Sequence, residues 1–146
     1  MKQGEGSDNT TGRGTIFDPL RQKYVALTPE ERVRQVFVKF LMERMEYPMG
    51  LMANEYAIKV GRLEKRCDTV VFDRHLTPLM VIEYKAPHIA LTQAVIDQVF
   101  RYNSVLRVPY IVVTNGTQIG VFRVGYDGAP TEQLPHLPTY PSLLAL

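Results

Sequence analysis

Cysteine is almost missing from this chain: Cys67 is the single one in 146 residues. One thiol cannot form an internal disulfide framework, and it cannot build a cysteine-rich zinc site. The histidines are equally sparse. His75, His88 and His136 are scattered and show no zinc-ligand spacing. No apolar run approaches the roughly 20 residues that a membrane-spanning helix needs. The opening stretch MKQGEGSDNTTGRG is polar and Gly-rich, without the apolar centre of an export signal. Together these absences predict a cytoplasmic protein. Neither GxxxxGK[ST] nor GxGxxG occurs, which disfavours folds that cradle nucleotide phosphates on a glycine-rich loop.

What is present reads as one soluble, globular domain. Hydrophobic residues make up 45% and charged residues 22%, enough for a real core at this length. The formal net charge is only +2, yet Lys59, Arg62, Lys65 and Arg66 fall within eight residues, and Arg32, Arg34 and Lys39 share another segment. Such clusters are either solvated surface or the footprint of a nucleic-acid partner.

Local patterns divide the chain into a disordered tail (residues 1–15), a domain (residues 16–125) and a Pro-rich tail (residues 126–146). Residues 16–27 are expected to lead into the domain across its surface. A helix starts at Thr28-Pro29, with acids in its first turn and an apolar stripe of Val33, Val36, Phe37, Phe40 and Leu41. ANEYAIKVG, CDTVVFD and LMVIEYK read as strands, with residues 61–66 as the first turn. LTQAVIDQVFRYNSVL is a helix with Val95, Val99, Tyr102 and Leu106 on one stripe. PYIVVTN and QIGVFRV are two further strands. The tail carries Pro130, Pro135, Pro138 and Pro141 and is expected to lack regular structure. The order α-β-β-β-α-β-β predicts a mixed central sheet flanked by helices.

The segment VIEYKAP poses the chemical question. Strand side chains alternate, so Glu83 and Lys85 point to one face, and two buried charges are costly unless they are paired or bind something. Asp68 belongs to the preceding strand, with Val70 and Phe72 on its face. If the two strands are neighbours, Asp68 and Glu83 converge at one end of the sheet. Two carboxylates open to water suit a hard divalent cation such as magnesium or manganese. Lys85 beside them could orient or deprotonate a water, or stabilise developing negative charge. Taken singly, each residue has an ordinary alternative. Asp68 could end a hairpin, Glu83 and Lys85 could form a surface ion pair, and His88 could be plain loop surface.

Asp68 followed by Glu83-x-Lys85, in an αβββαβ order, resembles the PD-(D/E)XK nuclease superfamily, whose fold is restriction-endonuclease-like. The segments PEERVRQ, KRCDTVVFD, VIEYKAP, DQVFRYN and PYIVVTNG more closely resemble the N-terminal endonuclease domain of type I restriction enzyme R subunits, over about Phe17 to Val124. Gln98-x-x-x-Tyr102 adds specificity to the resemblance, because several branches of that superfamily carry such a motif beside the metal site; helical spacing would project the two side chains together. The resemblance implies a magnesium- or manganese-dependent DNA endonuclease. Asp68 and Glu83 would hold the metal and Lys85 would act in catalysis. Gln98 and Tyr102 would contact DNA phosphate or position the lysine. A first-helix glutamate, Glu30 or its neighbour Glu31, would support the metal, with Glu30 preferred because its spacing to Val33 and Phe37 puts it on the inward stripe. DNA and other restriction-modification subunits are the implied partners. R subunits carry motor domains beyond the nuclease that have no counterpart in these residues, so translocation is not carried over, and the chain reads as a stand-alone relative or a fragment. A non-catalytic DNA-binding or assembly module on the same fold is the competing expectation.

Overall fold

The computed structural model describes residues 14–146, and residues 1–13 of the expected disordered tail lie outside that range. Two short strands, β1 (Thr15–Asp18) and β2 (Lys23–Ala26), pair antiparallel where the sequence predicted only a lead-in. The buried Asp18 carboxylate anchors this hairpin, accepting hydrogen bonds from the Leu20 N–H and from Asn54, with Arg21 as its ion-pair partner. The first and last of these contacts are local, but the Asn54 bond that ties the hairpin to the sheet spans 36 residues.

Helix α1 (Pro29–Arg44) begins as expected. Thr28 caps it by accepting from the Glu31 N–H at 3.1 Å, and Pro29 fills the first turn. Its buried arc differs from the expected stripe. Val33, Val38 and Leu41 are inside, whereas Val36 is 66% and Phe40 41% exposed. The arc is rotated to include Arg34, which turns inward to meet the buried Glu31 and the half-buried Glu55.

The six-stranded sheet runs in the order β3 (Met52–Val60), β4 (Leu63–Phe72), β5 (Pro78–Tyr84), β6 (Tyr110–Thr114), β7 (Ile119–Arg123), β8 (Glu132–Gln133). All neighbours are antiparallel except β5 and β6, which helix α2 (Gln93–Asn103) joins as a parallel crossover. A parallel pair needs such a connection, and β6, buried at every position, is the continuous apolar run that a covered strand requires. The expected turn at residues 61–66 shrinks to Gly61-Arg62, with Gly61 left-handed at φ +61°, as the primed hairpin turns demand.

Both sheet faces are covered. Val71, Met80, Ile82, Tyr84 and Val112 pack under α1 and under a third helix, α3 (Tyr140–Ala145). Val70, Val81, Ile111 and Val113 pack under Val99 of α2 and the following Leu106. The Pro-rich segment therefore does carry regular structure, contrary to expectation. Thr139 caps α3, Tyr140 is fully buried, and its hydroxyl donates to the Phe72 carbonyl at 2.8 Å. Prolines between residues 130 and 141 stiffen the route, and Tyr140 and Leu143 supply the apolar anchors that pin it to the sheet. No helix among the described residues is long and apolar enough to cross a membrane.

Candidate active site at the end of β4 and β5

The β4–β5 register pairs Thr69 with Ile82, so Asp68 and Glu83 fall opposite each other one step beyond the last pair. Asp68 is tied down on both sides. Its carboxylate accepts from the Tyr84 N–H at 2.9 Å, and its backbone carbonyl accepts from Arg34 Nη1 at 2.8 Å. Burial, and then the charges of Glu55 and Glu30, push the Asp68 carboxyl up against the pull of the Tyr84 N–H and Arg34. Glu83 is driven further. Burial first and the Asp68 charge second push it up to about 8, opposed by Lys85 and the Asn103 amide. The two carboxyl groups thus crowd each other in a partly dry setting where both resist ionisation together. Lys85, half-buried just past the end of β5, anchors its own N–H on the Thr114 carbonyl at 2.9 Å.

Strand alternation breaks at this point. Thr69 bonds Asn54 and Tyr84 on the α1 side of the sheet, yet Cys67, two residues earlier, packs with the α2-side core. In a regular strand those two residues would share a face. Asp68 therefore sits at a twist in β4, between Cys67 on one side of the sheet and Thr69 on the other. Across β3 the register places Glu55 opposite it, and Glu55 adopts the left-handed φ of +53° that non-glycine residues seldom take. Glu55, Asp68 and Glu83 consequently form a row across three neighbouring strands.

The first-helix glutamates take different places. Glu31 is buried and clamped. Arg34 donates to it through Nε at 3.0 Å and Nη2 at 2.6 Å, Arg21 at 2.8 Å and Gln35 at 2.9 Å. Burial alone would raise its pKa, but the bonds from Arg34, Gln35 and Arg21 outweigh that and hold it at about 2. Glu30 is exposed rather than inward-facing, and it lines a small polar cavity of about 90 Å³ with Glu55, Arg34 and Asp68. Because the folded pKa of Glu31 lies below its unfolded value, its contribution to stability is complete above about 4.5 and is lost as the pH falls towards 2. Acid titration of the folding equilibrium over that window is expected to remove roughly 2–3 kcal/mol, and Glu31→Gln to flatten the window. An unchanged acid limb in the variant would mean that the clamp does not discriminate ionised from neutral Glu31.

Gln98 and Tyr102 project together from α2, but outward. Tyr102 is 41% exposed instead of lying on the core stripe, which Val99 and Asn103 occupy. Its hydroxyl donates to the Arg66 carbonyl at 3.4 Å, and Lys65 lies 4.3 Å over its ring. No hydrogen bond among the described residues joins Gln98 or Tyr102 to Asp68, Glu83 or Lys85. Three further residues at the site carry no sequence motif: Arg34, Glu55 and Asn103. The Arg34–Glu31 spacing of three is the single local hint. Asn103 donates from Nδ2 to the Val99 carbonyl at 2.9 Å, while its buried Oδ1 has no protein partner. Cys67 beside the site is buried, and its thiol is pushed up to about 12 by burial and by Glu83 and Asp68, which disfavours the reactive thiolate.

The donors are all oxygen, and the crowded Asp68–Glu83 pair is short of positive charge, which fits a hard cation. Among the described residues no three His, Cys, Asp or Glu side chains converge closely enough to enclose an ion by themselves. A larger groove of about 610 Å³ lies on the α1 side, lined mainly by Val36, Phe37, Phe40 and Ile119, with Arg32 and the polar residues 114–118 at its edge.

No curated protein matches the chain. The structure resembles a fragment of a chain described as an HsdR subunit of a type I restriction enzyme from Vibrio vulnificus YJ016, with a TM-score of 0.57 and 21% identity. The likeness covers 80% of this chain and 24% of that one, and at this identity it shows the mixed α/β fold. Residues 29–138 match the family described as type I restriction enzyme R protein N terminus. With most of its length inside that match, the chain belongs to the N-terminal family of type I restriction enzyme R proteins.

Proposed function

We propose that this chain is a divalent-metal-dependent DNA endonuclease domain of the PD-(D/E)XK type, working in the cytoplasm with other restriction-modification subunits. The observation that carries the reading is the register that sets Asp68 opposite Glu83, two residues from Lys85, where burial pushes both carboxyls up. Asp68 and Glu83 would hold the ion, and Glu30, from α1, lines the small cavity beside Asp68. A bound magnesium or manganese would supply Lewis-acid stabilisation of the phosphate and a more acidic water. Lys85 orients the attacking water and offsets negative charge on the phosphate oxygens. In hydrolysis the water oxygen forms a bond to phosphorus and the ester P–O bond breaks. One water proton leaves for solvent, and the departing oxygen takes up another. Gln98 and Tyr102, exposed on one face of α2, are available to a DNA phosphate. The test is incubation with plasmid, linear and single-stranded DNA, with and without manganese. Cleavage that needs the metal is expected. A natively folded protein that leaves all three intact with metal present would sink the reading.

The apolar groove beneath Val36 and Phe40 favours a second role, as a module that docks on another part of a restriction complex while retaining the fold. That reading predicts metal-independent assembly and no cleavage.

A further inference from the structure

Among the described residues, β5 pairs with β4 only from Thr69 to Phe72, whereas the β3–β4 ladder continues for five more pairs, from Tyr56–Cys67 to Val60–Leu63. The outer part of this hairpin is therefore an arm beyond the sheet, roughly 15 Å long at about 3.3 Å per residue. Its two-residue turn at Gly61-Arg62 keeps it tight, and its root is fastened. Ile58 and Cys67 are buried against the α2-side core, and Arg66 Nη1 donates to the Glu55 carbonyl at 2.8 Å.

Charge is concentrated there. Residues 59–66 hold four cations and one acid, a net of +3, against +2 for the entire chain, so the remainder is −1. The cations are spread around the arm. Lys65 lies on the α2 side over Tyr102, Lys59 and Arg66 alternate to the other side, and Arg62 sits at the tip. Lys59 is 76% exposed, and its pairing with Glu64 is long at 3.9 Å, so it is free to take another partner. Between the cations, Val60 and Leu63 form an exposed apolar pair at the tip.

We propose that the β3–β4 arm enters a groove of duplex DNA beside the cleavage site, an inference that rests on the nuclease reading above. A two-stranded ribbon is the size that the major groove of B-DNA admits, about 12 Å across. Cations on both faces and at the tip meet the phosphate walls on either side, and Val60 and Leu63 meet base edges, where thymine methyl groups offer apolar contact. A single strand has one line of phosphates and no second wall. The arm begins one residue from Asp68, so a duplex held by it runs past Tyr102 towards the carboxylates.

The test is equilibrium binding of the whole chain to a labelled duplex, and to a single strand of equal length, in EDTA over a range of salt. Lys59→Ala/Arg62→Ala/Lys65→Ala is compared with the parent, and Arg62→Ala alone serves if the triple variant melts early. The expected result is a duplex salt slope shallower by about 0.9 for each lost phosphate contact, with single-strand binding unchanged within about twofold. An unchanged duplex slope, equal losses on both substrates, or no duplex binding by the parent would overturn the proposal. Binding and cleavage separate the two readings. Arm-dependent binding without cleavage removes the nuclease and keeps the arm, whereas cleavage with an unchanged slope does the reverse.

Discussion

Lys85→Ala is expected to lower the DNA cleavage rate by about 10²–10⁴-fold while the domain stays folded. The side chain stands just past the end of β5, half-exposed, and its fixed contact is made by the backbone, whose N–H donates to the Thr114 carbonyl. Alanine keeps that bond. The missing ammonium leaves Glu83 without one of the two groups that lower its pKa, a local loss at a carboxyl that already resists ionisation. A group that orients water acts mainly in the transition state, so the defect should appear in kcat with little change in DNA affinity. Asp68→Ala should also stop cleavage, by weakening the hold on the ion, and excess manganese should restore part of that activity. The same excess should not restore Lys85→Ala. Single-turnover cleavage at saturating protein, read beside a thermal melt, separates the cases. Parental rates from a folded Lys85→Ala protein would remove the lysine from the chemistry, and unfolding would make it a structural partner of Glu83.

Arg34→Ala is expected to cost about 3–5 kcal/mol of folding stability, because it strands buried charge instead of merely losing attraction. Arg34 forks into Glu31 through two nitrogens and reaches the Glu55 carboxylate and the Asp68 carbonyl through the third. Its side chain is 9% exposed and that of Glu31 is 7%. Removing it leaves Glu31 with Arg21 and Gln35 alone, and leaves the Asp68 carbonyl without its donor. A domain of this size has a total stability of about 5–15 kcal/mol, so the variant should be close to unfolded at modest urea. Arg34→Lys should recover only part of the loss, since an ammonium cannot reproduce the planar fork. Urea denaturation of the three proteins decides the point. A loss under about 1 kcal/mol for the alanine variant would mean that water replaces the guanidinium and that the network is effectively solvated.

Local rules explain why the sequence is legible where it is. Thr28-Pro29 and its acids mark the start of α1, β-branched runs mark β4 and β6, and the long connection between β5 and β6 implies a helical crossover and a parallel pair. These depend on residues a few positions apart, and the mixed sheet with a helix on each face follows from them. The motif residues are legible for the same reason. Glu83 and Lys85 are two apart on one strand, and Gln98 and Tyr102 are one helical turn apart.

Long-range pairing decided the rest. Asp18 finds Asn54 across 36 residues, and Arg34 finds the Asp68 carbonyl across 34, so neither the anchoring of the β1–β2 hairpin to the sheet nor the rotation of α1 has a local signature. Tyr102 looked like core because an apolar stripe cannot tell an inward aromatic from one that lies against the neighbouring hairpin. The Pro-rich stretch looked unstructured because each proline removes a backbone donor, yet Tyr140 and Leu143 find a place under the sheet that exists only once the strands have assembled. The twist at Asp68 is of the same kind. Alternation by two is a property of one strand, but whether a residue keeps to a face depends on the backbone of its neighbours, and Glu55 in β3 and Asp68 in β4 come to face each other only when the hairpin has closed.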